Sequence, residues 1–193
     1  MACYKKLTES ITATCTFPLV PGIDDEIYVI NYEDIESFTL NVQNDNIIEG
    51  ITLKSASPAL FGFKITGFRY SNEYENSLVK GRYINEWEQK LTIRIFDNSP
   101  DVKERIDEFA NGRFVFIIKN RYQNANGNSV YEVLGYTNGL EMTECKRNPD
   151  DKDLRAGWVC TFSTGDFGKE HYPAKTFFIT DLDTTKAALE ALV

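Results

Sequence analysis

Closely spaced carboxylates in NPDDKD, residues 148–153, a Gly-Asp-Phe-Gly run at 165–168 and the one histidine, His171, are the side chains with which this sequence could hold an ion or run a reaction. Each lacks its context. The EF-hand pattern needs Gly at loop position six and Glu at position twelve, and the stretch from Asn148 has neither. Residues 148–153 therefore read as a solvated acidic loop, with ion binding the sharper alternative. The Asp-Phe-Gly triplet of protein kinases works only with a Gly-rich loop, a strand lysine and a His-Arg-Asp, none of which occurs here. Asp166, between Gly165 and Gly168, reads as turn chemistry. His171 sits in KEHYPAK, ahead of a proline and in what reads as a loop, so no Ser, Cys or Lys has an evident base beside it. Acid pairs such as Asp24 and Asp25 could serve glycoside hydrolysis, but turns produce such pairs often. Cys3, Cys15, Cys145 and Cys160 form no CxxC pair; in a chain that reads as cytosolic they are expected to be reduced, and a zinc site built from them and His171 is not expected. The residues point to no enzyme, no cofactor and no metal.

Two stretches interleave cations with aromatic rings, GRFVFIIKNRY from Gly112 and GFRYSNEYENSLVKGRYINEW from Gly67. That combination stacks bases and neutralises phosphates on single-strand-binding barrels and recognition-motif sheets. Against the ribonucleoprotein signature, Gly112 is followed by Arg113 where an aromatic belongs. The net charge of −8 also opposes a protein whose affinity would come from counterions released around Lys and Arg. An aromatic-rich strand equally suits a sheet core or a subunit seam. The connection from Arg69 to Trp87, with Tyr70, Tyr74 and Tyr83 between them, is expected to be a contact arm between subunits; the alternative is an ordinary hairpin carrying surface tyrosines.

The elements that must carry these groups are mostly strands. SITATCTF, from Ser10, alternates Ile11, Ala13, Cys15 and Phe17 with threonines, the period of a half-buried strand. ESFTLNV repeats the pattern with Phe38, Leu40 and Val42, and KLTIRIF with Leu91, Ile93 and Ile95. FVFIIK, from Phe114, is apolar without a break, as a strand covered on both faces would be. VYEVLGY and GWVCTFS add two more, QNANGNS before Val130 reads as a hairpin loop, and further strands are expected in EIYVIN, GITLKS and LFGFKITGFRY. One internal helix stands out at about 99–111. Ser99 caps it with Pro100 at the first helical position and Asp101 in the first turn, and Gly112 stops it. Its stripe of Val102, Ile106, Phe109 and Ala110 is expected to lie on the sheet of Leu91–Phe96 and Phe114–Ile118, with Lys103, Glu104, Asp107 and Glu108 outward. A short C-terminal helix at about 184–192 uses Asp183 or Thr184 as cap and Ala188, Leu189 and Leu192 as its face.

At 193 residues and 42% hydrophobic content the chain suits one domain, 1–193, with a real core and long loops. The expected class is mainly β: a β-sandwich or open barrel with the Ser99 helix flanking it. No apolar run is long enough to span a membrane, and the start has no leader of signal-peptide character, so the chain reads as soluble.

CYKKLTESI at the start, residues 67–113, YEVLGYTNGLEMTE from Tyr131 and TDLDTTKAALEALV at the end together resemble structural proteins of tailed phages and prophages of Bacteroides-type gut bacteria, the crAss-like group included. The similarity runs over most of the chain in the same order and carries no catalytic signature. It implies a tail-tube or neck-ring subunit: a β-sandwich with a flanking helix, multiplied into a hexameric or dodecameric ring through which genomic DNA passes. It also implies contacts with a portal, an adaptor or further rings, and a place in the virion after assembly in the host cytoplasm. A capsid decoration or adaptor protein and a single-strand nucleic-acid binder are the alternatives.

Overall fold

A computed structural model describes residues 7, 9–11, 19–81, 84–124, 126–152, 155–165 and 168–193. In chain order the elements are β1 (Ile23–Asn31), a 3-10 turn (Tyr32–Asp34), β2 (Ile35–Leu40), β3 (Ile47–Leu53), β4 (Phe63–Thr66), β5 (Glu73–Lys80), β6 (Asn85–Ile95), α1 (Pro100–Ala110), β7 (Arg113–Asn120), β8 (Tyr131–Leu134), β9 (Leu140–Arg147), β10 (Trp158–Ser163), β11 (Lys175–Phe177) and α2 (Leu182–Glu190). The fold is mainly β with two helices. SITATCTF lies almost wholly outside the described residues, as do Cys3 and Cys15.

The organising strand is β7. FVFIIK sends Phe114, Phe116 and Ile118 into one apolar cluster and Val115 and Ile117 into the other, and β1 beside it does the same with Ile27 and Val29 against Tyr28 and Ile30. A strand buried on both faces needs no alternation, which is why this run is apolar throughout. The first cluster adds Leu91 and Ile93 of β6, Cys160 and Phe162 of β10 and Ile106 of α1. The second adds Ile48 of β3, Val133 of β8, Phe177 of β11 and Leu189 of α2.

All eleven strands share one hydrogen-bonded sheet in the order β2-β3-β11-β8-β7-β9-β10-β6-β5, with β1 joined to β7 and β4 to β1. The same edge of β7 pairs first with β8 and then, at Arg113 and Phe114, with β9. Between them the chain makes a detour closed by Gly139 N–H donating to Gly135 C=O at 3.0 Å. Both glycines have positive φ, +77° and +74°, and a Cβ on Gly135 would stand 2.9 Å from Gly139 Cα, so the turn has room only for glycine. Among the described residues β2 and β5 each have a single strand partner and β4 has β1 alone, leaving three sheet edges open.

Helix α1 carries the expected N-cap, Ser99 Oγ accepting from Val102 N–H at 3.4 Å. Ile106 is buried and Val102 and Phe109 are half-buried against the first cluster, on the expected sheet. Ala110 instead faces solvent. The stop also differs in mechanism: Gly112 is not in the left-handed region, Asn111 caps the helix with its amide on Asp107 C=O at 2.8 Å, and a Cβ on Gly112 would strike the Phe114 ring at 2.3 Å. Helix α2 begins earlier than expected because Asp181, and not Asp183 or Thr184, accepts from Thr184 N–H at 2.8 Å. Val42, expected on the inner face with Phe38 and Leu40, lies beyond the end of β2 and is fully exposed.

The cysteine expectation is corrected as well. Residues 145 and 160 are directly opposed across β9 and β10, Cα to Cα 4.1 Å, and are joined as a disulfide. Strand pairing brings together two thiols that are fifteen residues apart in sequence.

Candidate interface at the Phe68 turn

The stretch expected to be an arm, 69–87, is chiefly a hairpin: β5 runs antiparallel to β6 in unbroken register from Glu73 opposite Thr92 to Lys80 opposite Asn85. Its five candidate residues fall in different places. Tyr83 lies outside the described residues. Tyr74 turns inward, packed on the first cluster. Burial pushes its hydroxyl far above the usual tyrosine value, and the charge of Glu132 adds to the effect. Tyr74 is half-buried and lines a cavity of about 630 Å³ with Glu132, Asn120 and Tyr122. Burial also raises the Glu132 carboxyl above its ordinary value, against the pull of the Asn120 amide at 2.7 Å. Trp87 is half-buried, opposite Leu78 across the hairpin, with its backbone doubly bonded to Glu170 at 2.7 and 2.9 Å. Arg69 and Tyr70 alone stand out in solvent.

Those two occupy the tip of the turn between β4 and β5, with consecutive φ values of +54° and +55°. Side chains rarely adopt that region, and a type I′ turn ordinarily takes Asn-Gly there. The turn is bolted on both sides. Asp25 on β1 receives Gly67 N–H at its carbonyl and Tyr70 N–H at its carboxylate, each at 2.7 Å. From β6, Arg94 N–H donates to the buried Asn72 at 3.2 Å, and the Arg94 guanidinium holds Ser71 C=O and the Glu73 carboxylate.

On this mount Phe68 is 45% exposed and stands edge-on to Phe96, centroids 5.9 Å apart. Two guanidinium groups lie over the Phe68 ring: Arg69 at 5.1 Å and Arg155 at 5.7 Å. Arg155 comes from a second turn of the same unusual kind, φ +50° at Arg155 and +58° at Ala156. A third, Arg121, lies over Tyr70 at 4.2 Å. Beside the turn, a groove of about 470 Å³ opens between Phe68, Phe96, Val102 and Phe109, and Phe61 and Phe63 are exposed along the open edge of β4.

The charge pattern separates these arginines from the rest. Arg94, Arg105 and Arg113 each pair with a carboxylate of this chain. Arg69, Arg121 and Arg155 form no ion pair within 4 Å among the described residues, although the Arg121 charge helps lower Asp24, and all three rest on exposed rings. Cation–π contact holds such groups in place without neutralising them, so the patch presents positive charge on a chain whose net charge is −8. Arg121 lies within the cation–aromatic stretch from Gly112 and Phe96 within KLTIRIF, but only the topology brings Phe96 and Arg155 to Phe68 and Arg121 to Tyr70.

The stretches first singled out for chemistry behave as turns. Gly165 and Gly168 have positive φ, +46° and +110°, while Asp166 lies outside the described residues. Asn148 Oδ1 accepts from Asp150 N–H at 3.1 Å, an Asx turn. No group of three or more His, Cys, Asp or Glu among the described residues could hold a metal. His171 is exposed in a loop, but its neighbour Glu170 is fully buried, its carboxylate accepting Thr137 and Asn138 N–H at 2.8 and 2.9 Å and so tying the Gly135–Gly139 detour to Trp87. Comparison with known proteins finds no matching family model, no similar curated protein and no similar solved structure.

Proposed function

We propose that this chain is a structural subunit of a tailed-phage virion, one that assembles with copies of itself into a ring or tube of the tail or neck through which double-stranded DNA passes. The sequence resemblance over residues 3–11, 67–113, 131–144 and 180–193 supports this reading. The observation that carries it is the Phe68 turn, an exposed arginine and aromatic surface built on strained backbone between β4 and β5, two strands that each have one strand partner among the described residues. Open edges and exposed aromatic groups are the means by which β subunits join. The acidic balance of the chain suits a conduit that must not hold its cargo, since excess carboxylate repels phosphate. No catalytic role is proposed for any residue.

Negative-stain electron microscopy of the purified chain tests the proposal. Closed rings or short tubes with a central hole are expected. A field of uniformly monomer-sized particles at every protein concentration would overturn it.

A further inference from the structure

We infer that the Phe68 turn, through the guanidinium groups of Arg69 and Arg155, docks a carboxylate-bearing face of a second copy of this chain in a head-to-tail contact. The inference rests on the ring-subunit reading and names the surface that makes the ring.

The backbone supplies the first argument. Two separate turns each place consecutive non-glycine residues at positive φ, Arg69–Tyr70 and Arg155–Ala156. Strain of this sort costs about 1–3 kcal/mol per residue and persists where the surroundings enforce it, commonly at active sites, ligand clamps and switch regions. Both turns deliver an arginine to the same ring, from sequence positions far apart.

Electrostatics supplies the second. Two guanidinium groups over one ring repel each other, and neither forms an ion pair among the described residues. A carboxylate arriving between them would be held by charge-assisted, bidentate hydrogen bonds. An incoming base would gain little, because guanidinium groups already cover Phe68 where it would have to stack.

Complementarity identifies the partner. The chain carries 29 acidic against 21 basic residues, so most of its surface matches this patch. The outward face of α1 exposes Asp101 and Asp107, with Glu104 and Glu108 beside them paired to Arg105. The patch cannot match itself, since a twofold contact would set arginine against arginine. On the ring-subunit reading the contact is heterologous, and its repetition yields a closed ring or a filament.

Sedimentation equilibrium of the full chain, alone and with a fluorescent single-stranded oligonucleotide, tests this. The double variant Arg69→Glu, Arg155→Glu is expected to keep its melting temperature, both side chains being exposed, and to weaken self-association by about tenfold or more. The neutral pair Arg69→Gln, Arg155→Gln gives a smaller loss in the same direction, and Lys186→Gln, on the exposed side of α2, leaves association unchanged. Wild-type association that the double variant fails to weaken would overturn the surface while leaving the ring reading in place. A wild-type chain that stays monomeric overturns both. Oligonucleotide binding that the reversal abolishes would make nucleic acid the partner and likewise overturn the inference.

Discussion

Phe109 of α1 meets Phe162 of β10 edge to face, centroids 5.2 Å apart and planes at 78°, and meets Phe114 of β7 in the same way at 5.1 Å. The helix is thus keyed to two strands by one side chain, and its role is to close the first apolar cluster. Phe109→Ala is expected to destabilise the fold by about 3 kcal/mol, the lower part of the range for a core phenylalanine because the ring is half-buried. Urea denaturation measures it; an unchanged midpoint would show that the helix does not cover the core.

Glu170 is a second fastening. Its buried carboxylate serves two backbone N–H groups of the detour, Thr137 and Asn138. Glu170→Ala leaves both donors without a partner and is expected to cost about 2–5 kcal/mol. Glu170→Gln keeps one acceptor oxygen and should lose less. Equal losses in the two variants, read from the same denaturation curves, would count against the hydrogen bonds as the cause.

The detour itself is constrained by backbone conformation. At Gly135, φ is +77° and an added Cβ would meet Gly139 Cα at 2.9 Å, so Gly135→Ala is expected to destabilise by about 1–3 kcal/mol. Gly50 of β3 is the control: its added Cβ would meet only Thr39 at 3.6 Å, an ordinary contact. Thermal melts of the two variants should differ clearly, and coincident curves would refute the assignment of strain to Gly135.

Two carboxylates give the stability curve opposite slopes. Burial raises the folded-state value of Glu132, so from the unfolded carboxylate value upward the folded state binds the extra proton and stability falls as pH rises. Glu132→Gln is accordingly expected to stabilise at neutral pH and to leave the acid end unchanged. Burial also opposes the charge on Asp24, but Lys119 at 2.6 Å and Asp25 N–H at 2.7 Å prevail and lower its value. Its contribution is present above the unfolded value and is lost as pH falls through the folded one. Denaturation across pH 3 to 8 measures both; a Glu132→Gln variant less stable than wild type at pH 7 would contradict the account.

How far the fold could be read depended on how local its causes are. Ser99, Pro100 and the Val102–Phe109 stripe define α1 within a dozen residues, and the unbroken apolarity of β7 announced burial on both faces. Strand β5 stayed hidden because EYENSLVK has no steady apolar period: Tyr74 faces the core while Leu78 is 47% exposed. Strand β9 was masked by a register shift opposite Thr161 and Phe162, which breaks the alternation after Met142. At α2, TDLDTT offers several cap oxygens within five residues, and geometry selected Asp181. Of the interface candidates, Arg69 and Tyr70 were legible as a cation–aromatic pair. Arg121 was legible only as part of the cation–aromatic stretch from Gly112, and Arg155 not at all, because their places over Tyr70 and Phe68 are a property of three-dimensional neighbours.

Self-assembly is the central claim, and light scattering behind size exclusion, run over a range of protein concentrations at low and high salt, addresses it most directly. The account predicts a mass of several subunits that converges on a fixed multiple at low salt and falls as salt screens the arginine contacts. A single-subunit mass at the highest concentration in low salt would contradict it.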